Sequence, residues 1–153
     1  MLNNALYKSL LFLSAGSVEK QAGTTELGNL GGLAKTMPFT FACALIGALS
    51  ISGVPPLNGF VSKWMIYQGI VGLSGSSPYW IIWLLAAMFG SALTLASFVK
   101  IIHAVFLGQG QGKPLKESSW IMLLPMAVLA ALCVIFGILP FRCRSLSLFR
   151  KLF

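Results

Sequence analysis

Between Lys63 and Lys100 the sequence reads WMIYQGIVGLSGSSPYWIIWLLAAMFGSALTLASFV (64–99), a run of 36 residues without Asp, Glu, Lys or Arg. Two further stretches lack these residues, Thr36–Ser62 and Ser118–Phe141. The chain of 153 residues is 57% hydrophobic and only 9% charged, with a mean hydropathy of +0.86. Soluble domains carry about 25% charged residues. The composition therefore predicts a polytopic membrane protein that is surrounded by the lipid bilayer.

Gly and Pro divide the apolar stretches into helix-sized pieces. We predict an all-α bundle of five hydrophobic helices, which span about Leu2–Ser17, Pro38–Gly53, Gly59–Leu73, Tyr79–Leu107 and Ser119–Leu139. They form one transmembrane domain over residues 1–141, followed by a basic tail over residues 142–153.

The fourth predicted helix is unusual because its 29 residues exceed the roughly 20 that cross a bilayer. It contains Gly90–Ser91 and then Thr94 and Ser97, residue types that loosen or bend the backbone ladder. The pattern favours a discontinuous helix, and the alternative is a helix that overruns the membrane.

The charge and cysteine content exclude two other classes of protein: nucleic-acid-binding proteins and proteins that carry their own metal or redox cofactor. Eleven Lys and Arg against three Asp and Glu give a net charge of +8, but these cations are scattered among apolar runs. A nucleic-acid interface needs them clustered on a soluble face, so we expect no nucleic acid. The three cysteines, Cys43, Cys133 and Cys143, have no C-x-x-C spacing. We expect no metal and no cofactor in this chain, and any redox chemistry belongs to another subunit.

The distribution of Lys and Arg predicts an orientation. If the chain crosses the membrane five times, six Lys and Arg residues fall on the side that holds the C-terminal tail. Three fall on the other side: Lys63, Lys113 and Lys116. Cytoplasmic loops carry the excess of positive charge. We therefore expect a multi-pass protein of the cell membrane with a cytoplasmic C-terminus.

Three ionisable residues fall within the predicted spans: Lys8 near the middle of the first, Lys100 in the fourth, and His103 one turn later. A lysine at mid-membrane costs about 2.5–3.5 kcal/mol. The alternative is snorkelling, in which a lysine near a helix end extends its amine to the interface. We prefer that interpretation for Lys63, whereas Lys8 lies equally far from both ends of its helix, with Asn4 one turn earlier.

A row of polar residues supports a functional reading of the fourth helix. Thr94, Ser97, Lys100 and His103 recur every three residues, so each side chain can reach the next. Histidine exchanges protons near neutral pH, and the row predicts a proton relay. The competing interpretation is a hydrated bundle interior with structural polar residues.

Acidic partners for these lysines are missing from the spans. The chain has no Asp, and Glu19, Glu26 and Glu117 all fall in predicted loops. Because an uncompensated buried cation is costly, we expect another subunit, or a missing part of the polypeptide, to supply an acidic group.

Three segments together resemble the antiporter-like membrane subunits of respiratory complex I, Mrp cation/proton antiporters and energy-converting hydrogenases. They are NALYKSLLFLSAGSV (4–18), LGGLAKTMP (30–38) and GVPPLNGFVSKW (53–64). The first is similar to the family's N-H-A-L-F-K-x-L-L-F-L-x-A-G-x-V segment. The third looks most like the hydrogenase-4 and formate-hydrogenlyase branch. The similarity covers residues 2–108 well and corresponds to the C-terminal part of considerably longer proteins.

The resemblance implies a subunit that translocates protons or sodium ions, driven by electron transfer in a separate peripheral iron–sulfur or hydrogenase arm. It assigns Lys8 to the lysine of the N-H-A-L-F-K motif and Lys100 to an ionisable position in a later discontinuous helix. Asn4 stands where the family usually has His, and His103 has no equally secure counterpart. The family's earlier repeat, which carries an essential glutamate, is not in this sequence.

Our leading hypothesis is a translocation subunit, or a fragment of one, within a hydrogenase or complex-I-like assembly that includes other membrane subunits. In it Lys8, Lys100 and His103 are translocation residues, supported by Asn4, Thr94 and Ser97. The alternatives are an Mrp-type antiporter component and a truncated, non-conducting structural remnant.

Overall fold

The computed structural model describes residues 2–24, 26–27, 30–75, 78–108 and 116–152, with side chains as far as Leu139. Five α-helices and no strand occur among these residues, which confirms the predicted all-α bundle. The helices are α1 (Leu2–Ala22), α2 (Pro38–Ser52), α3 (Asn58–Gly72), α4 (Trp80–Ile102) and α5 (Trp120–Leu152), with a 3₁₀ turn at Leu73–Gly75 and a π-turn at His103–Leu107.

Helix α1 is longer than predicted and places Glu19 in a helix instead of a loop. It continues past Ser17 to Ala22 and ends at Gly23, which has a φ of 67°. Charged residues do not stop a helix, because Glu and Lys have good helix propensity. The chain ends α1 where a left-handed residue is available.

Helices α2 and α3 agree with the prediction to within one residue at each end. Pro38 occupies the first helical position of α2, where its missing N–H has no partner to lose. Gly53 caps the helix in the left-handed conformation, and the Pro55–Pro56 peptide bond that follows is cis.

Helix α4 continues without interruption through Gly90 and Ser97, where the sequence favoured a break. The hydroxyls of Thr94 and Ser97 donate to the carbonyls of Gly90 and Leu93, 2.8 and 2.9 Å away. Both hydroxyls are therefore satisfied within the regular helix and do not interrupt it. The change of geometry comes later, at His103–Leu107, where the helix widens to π pitch.

Helix α5 extends beyond the predicted end at Leu139 and runs to Leu152. Pro125 and Pro140 lie inside this helix. A membrane helix tolerates proline when neighbouring groups compensate for the lost hydrogen bond. The backbone of the predicted basic tail is therefore helical as far as Leu152. Its charged side chains, and Lys113, lie outside the described residues.

Two apolar clusters hold the bundle together. One joins α1, α2 and α5 and contains Leu10, Cys43, Met126, Ala130 and Cys133. The other joins the end of α1, the α1–α2 connection, α2 and the end of α4; its buried members are Val18, Leu30, Leu33, Ala44, Ala48, Ile102, Val105 and Phe106.

Two helical segments among the described residues are long and apolar enough to cross a membrane. Trp80–Leu107 has 28 residues and Trp120–Leu139 has 20, and an 18-residue stretch within each has a mean hydropathy of 2.0 and 2.8, respectively. The first directs most of its large apolar side chains away from the rest of the chain, including Ile82, Leu85 and Phe89. Such a surface suits lipid or another apolar helix.

Candidate functional site

The connection between α2 and α3 leaves two backbone carbonyls without their helical donors. In an α-helix each carbonyl accepts from the N–H four residues later. Four residues after Ile51 and Ser52 come Pro55 and Pro56, which have no N–H. The chain turns away at Gly53, so the negative end of the α2 dipole faces the interior of the turn.

Lys63 supplies a donor to one of these carbonyls. Its Nζ donates to the Ser52 carbonyl oxygen at 2.9 Å from the second turn of α3, and its side chain is half-buried. The side chain crosses directly over Gly53, where a Cβ atom would lie 2.6 Å from Lys63 Cδ. The ammonium group is thus held at the end of a helix, a placement that is favourable for a cation.

A cluster of polar side chains surrounds the same turn. Asn58 is fully buried, and its Oδ1 accepts a hydrogen bond from Ser50 Oγ. Asn3 Nδ2 donates to the Asn58 carbonyl at 3.2 Å and to Ser62 Oγ at 2.7 Å, which ties α1 to α3. Asn58 Nδ2 is buried without an acceptor among the described residues. A buried donor of this kind favours an ordered water or another polar group beside it.

Helix α5 packs against the connection between α2 and α3 at Gly137. A Cβ atom on Gly137 would lie 2.0 Å from the Pro56 carbonyl oxygen and 2.6 Å from the Leu57 carbonyl carbon. Only a residue without a side chain allows this approach. The backbone of α5 therefore packs directly on the connection between α2 and α3.

Lys8 lies elsewhere, on the exposed face of α1. It lines a cavity of about 440 Å³ whose walls are otherwise mostly apolar, and Glu19 lines the same cavity. Eleven residues separate the two along α1, about 16 Å at the helical rise, which is too far for an ion pair. Lys8 forms neither a hydrogen bond nor an ion pair with any residue that the structure describes. Asn4, one turn earlier, is also exposed.

The predicted residues of α4 do not join Lys8 in one site. Lys100 is exposed in the last α-helical turn, and His103 is exposed at the start of the π-turn. His103 lines a second cavity of about 300 Å³ between α2 and α4. The hydroxyls of Thr94 and Ser97 are engaged by their own helix, so they form no row of hydrogen bonds towards Lys100.

Glu117 has a role that the sequence did not suggest. It lies in a connection, as predicted, but its carboxylate reaches the first turn of α2. Its Oε2 accepts from the Phe39 N–H at 3.1 Å, and its Oε1 accepts from Thr40 Oγ1 at 2.6 Å and from the Thr40 N–H at 3.4 Å. A carboxylate at this position satisfies free N–H groups and complements the positive end of the helix.

The sequence contained a signal for the Lys63 site that our prediction did not use. Gly53, Pro55–Pro56 and Gly59 mark a helix stop and restart, and a lysine follows four residues later. The interpretation of Lys63 as a snorkelling residue followed from its place near a helix start. In the structure its amine is instead directed to the end of the preceding helix.

The described architecture is that of a helical membrane subunit with a helix interrupted beside a lysine. Residues 1–94 match the family model described as NADH:quinone oxidoreductase/Mrp antiporter, transmembrane. The chain belongs to this family of integral membrane proteins.

Two relatives illustrate the range of proteins in this family. Hydrogenase-4 component B of Escherichia coli (strain K12) is 38% identical over 149 residues, which covers 90% of this chain and 22% of the relative. The Na⁺/H⁺ antiporter subunit A1 of Staphylococcus haemolyticus (strain JCSC1435) is 35% identical over 149 residues, which covers 92% of this chain and 19% of the relative. The chain thus spans about a fifth of the length of these relatives.

Solved structures agree with the fold. A chain of the membrane-bound sulfane sulfur reductase, an archaeal respiratory membrane complex, superposes with a TM-score of 0.78 at 36% identity, over 88% of this chain and 22% of that one. A chain of the Mrp complex from Dietzia sp. DQ12-45-1b superposes with a TM-score of 0.81 at 24% identity, over 95% of this chain and 35% of that one. Both structures are multi-subunit membrane complexes, and the second match supports the fold alone.

Proposed function

We propose that this chain forms part of a proton- or sodium-translocating pathway and that Lys63 is the central group of that pathway. The observation that carries the proposal is the hydrogen bond from Lys63 Nζ to the Ser52 carbonyl oxygen, at a helix end whose next donors are prolines. In transporters, interrupted helices of this kind lie beside ion sites.

The arrangement gives Lys63 two states of different charge. When Lys63 is protonated, the carbonyl of Ser52 and the dipole of α2 offset part of the free-energy cost of placing a cation in a membrane. The attraction between the helix end and the amine weakens when Nζ gives up a proton. It also weakens when a sodium ion takes the place of the ammonium group beside the Ser52 carbonyl. A neutral amine keeps its N–H donors but loses the charge that favours a place at the end of α2, so the ionic state of Lys63 is coupled to the strength of this contact.

Lys8, Lys100 and His103 are proposed as further groups of the pathway, with Asn4, Thr94 and Ser97 as supporting residues. Lys8 and His103 each line a cavity. Lys8 has a mostly apolar surrounding, and Glu19, which lines the same cavity, lies about 16 Å from it along α1. An acidic group from another polypeptide, or from a further part of this one, is proposed to approach it there.

The assembly that we propose is a membrane-bound hydrogenase or another complex-I-like oxidoreductase of the cell membrane, with this chain as a non-redox membrane subunit. The 38% identity to a hydrogenase-4 component supports it. A second candidate, an Mrp-type antiporter, is supported by 35% identity to an antiporter subunit A1. A third candidate is a non-conducting structural remnant.

The test of the pathway uses the complete native complex in liposomes. We expect Lys63→Ala to abolish ion uptake, because a neutral, short side chain cannot reach the Ser52 carbonyl. Lys63→Arg keeps a donor but cannot release a proton at accessible pH, and we expect it to fail as well.

Lys20→Ala is the matched control, because Lys20 is an exposed lysine in the last turn of α1. Uptake should be unchanged in this variant. Normal uptake by assembled Lys63→Ala complex would reject the proposed function. Mass spectrometry of the purified complex then separates the candidates, since iron–sulfur and hydrogenase subunits support the first and antiporter subunits without redox proteins support the second.

A further inference from the structure

Asn58 is the first residue of α3 and lies five positions before Lys63. Its side chain is fully buried, although an amide is costly to bury unless its polar atoms have partners. Only one of these atoms has a partner among the described residues. Oδ1 accepts from Ser50 Oγ, whereas Nδ2 has no acceptor. A leucine of similar shape would leave no donor unpaired at this position, so burial alone does not favour an amide.

The hydroxyl of Ser50 donates outside its own helix. Ser52, two residues later on α2, donates its hydroxyl to the carbonyl of Ala48 at 2.6 Å. A buried helical serine can satisfy itself in this way, through the carbonyl four residues earlier. Ser50 donates instead across the interruption to Asn58. The contact therefore links two helices, although the hydroxyl of Ser50 does not need such a link to be satisfied.

This link lies beside the one that Lys63 forms. Ser50 and Ser52 both belong to the last turn of α2, and Asn58 and Lys63 belong to the first two turns of α3. The two helices approach closely here, because a Cβ atom on Gly59 would overlap the carbonyl oxygen of Ser50. Two links between the same helix ends fix the orientation of α3 on α2 more tightly than one. The reach of Nζ to the Ser52 carbonyl thus depends on the contact between Ser50 and Asn58.

We propose that Asn58 is a positioning residue for Lys63. By accepting from Ser50, it holds the start of α3 at the end of α2 and keeps Nζ within hydrogen-bonding distance of the Ser52 carbonyl. Loss of this contact releases the amine without removing it. The consequence for ion transport rests on the proposed function, in which Lys63 is the central group, whereas the consequence for the place of the amine does not.

The first measurement follows the amine itself in the purified complete complex. After brief treatment with an amine-acylating reagent, mass spectrometry gives the modified fraction of Lys63, with the exposed Lys20 as an internal reference. We expect Asn58→Leu to raise this fraction several-fold, because an amine released from a carbonyl and a helix end is freer to react.

Ser50→Ala removes the same contact with a smaller change, and it decides the question if Asn58→Leu does not assemble. It should also raise the acylation of Lys63 several-fold. Unchanged acylation in assembled complex of either variant overturns the positioning role.

A conservative variant separates positioning from packing. Asn58→Asp keeps an acceptor for Ser50, so Lys63 should be acylated no more than in the wild type. A role in packing alone predicts the reverse order, because leucine suits a buried site better than a carboxyl group does. More acylation in Asn58→Asp than in Asn58→Leu would therefore overturn the proposal.

Tyr67→Phe is the matched control, because Tyr67 lies one turn after Lys63 on α3. It removes the hydrogen bond between Tyr67 OH and Ser91 Oγ, 2.6 Å long, which joins α3 to α4 instead of α2. Acylation of Lys63 should stay at the wild-type level. An increase equal to that of Asn58→Leu would mean that any lost contact of α3 releases the amine, which would overturn the specific role of Asn58.

Ion uptake by the complex in liposomes measures the effect on transport. We expect Asn58→Leu to lower uptake several-fold without abolishing it, because Lys63 is displaced and not absent. Raised acylation with normal uptake would keep Asn58 as the positioning residue and remove Lys63 from the pathway. Unchanged acylation would remove the role of Asn58 alone, whatever the uptake of Lys63→Ala.

Discussion

At the scale of single residues, Lys63 and Lys100 show how similar side chains acquire different surroundings. Both lysines border the charge-free run 64–99; the sequence favoured snorkelling for Lys63 and a relay role for Lys100. Lys63 reaches a carbonyl of the preceding helix at 2.9 Å, whereas Lys100 is exposed and has no hydrogen-bond or ion-pair partner among the described residues. The difference comes from the neighbouring element, since only Lys63 lies beside a helix end with missing donors.

Lys100 remains a predicted relay residue, and its substitution tests that role. If the relay includes Lys100, Lys100→Ala should depress proton or sodium uptake by the reconstituted complex while soluble-arm electron transfer stays largely intact. Lys35→Ala, which changes an exposed lysine of the α1–α2 connection, should alter neither rate. Unchanged uptake in assembled Lys100→Ala complex would remove Lys100 from the pathway.

Glu117 offers a second test at this scale, on stability. Glu117→Ala removes a carboxylate that accepts from three donors of α2. Loss of a cap of this kind costs about 1–2 kcal/mol, so the thermal unfolding midpoint should fall. The reaction of a thiol-specific dye with the buried Cys43 and Cys133 reports unfolding in detergent, in a Cys143→Ser background.

Glu26→Ala is the comparison for Glu117→Ala, because Glu26 is exposed and is not one of the α2 caps. It should shift the midpoint much less. Equal midpoints for the two variants would contradict the capping role.

At the scale of elements, the interruption between α2 and α3 is held together by close backbone approaches. Gly53→Ala places a methyl group 2.6 Å from Lys63 Cδ and forces a side chain into a left-handed conformation with φ 79°. The conformation alone costs about 1–2 kcal/mol. We expect lower ion uptake, because Lys63 must move away from the Ser52 carbonyl.

Gly69→Ala is the matched control for Gly53→Ala, since its added methyl group has no described heavy atom within 4 Å apart from its chain neighbours and the adjoining backbone of α3. Uptake and assembly should match the wild type in this control. Full uptake in Gly53→Ala would mean that the position of Lys63 over Gly53 is unimportant for transport.

The other elements show which structural features local sequence signals predicted. Pro38 and Gly53 marked the limits of α2 correctly because proline and glycine act on their own backbone. Gly90, Thr94 and Ser97 did not interrupt α4, since glycine is tolerated within a helix and both hydroxyls bond the preceding turn. The π-turn at His103–Leu107 had no recognisable signal, and it coincides with the tertiary hydrogen bond from Ala34 to Phe106.

At the scale of the whole molecule, the structure contradicts the five-crossing count behind the predicted orientation, because Glu117 contacts the first turn of α2 and Ser118 contacts Ser17. Lys116 therefore lies at the same end of the bundle as Lys20 and Lys35, whereas the count placed it on the opposite side from them.

The predicted cytoplasmic position of the tail can be tested with thiols on the tail and at Lys116. Cys143 lies on the predicted cytoplasmic side, and Lys116, an exposed residue, lies on the other. In intact cells, an impermeant maleimide should label Lys116→Cys in a Cys143→Ser background and leave native Cys143 unlabelled. Permeabilised cells should label both. Labelling of Cys143 in intact cells would reverse the proposed topology.

The sequence by itself determined that this is an all-α membrane protein, because apolar length and missing charge are properties of the chain that need no partner. Its motifs also determined the family, since the residues that carry them are read in order. The tertiary structure decided which polar groups meet: Lys63 with the end of α2, Glu117 with its start, and Lys8 and His103 in separate cavities. Those pairings join residues as many as 78 positions apart, and their distances depend on how the helices pack, which no local pattern encodes.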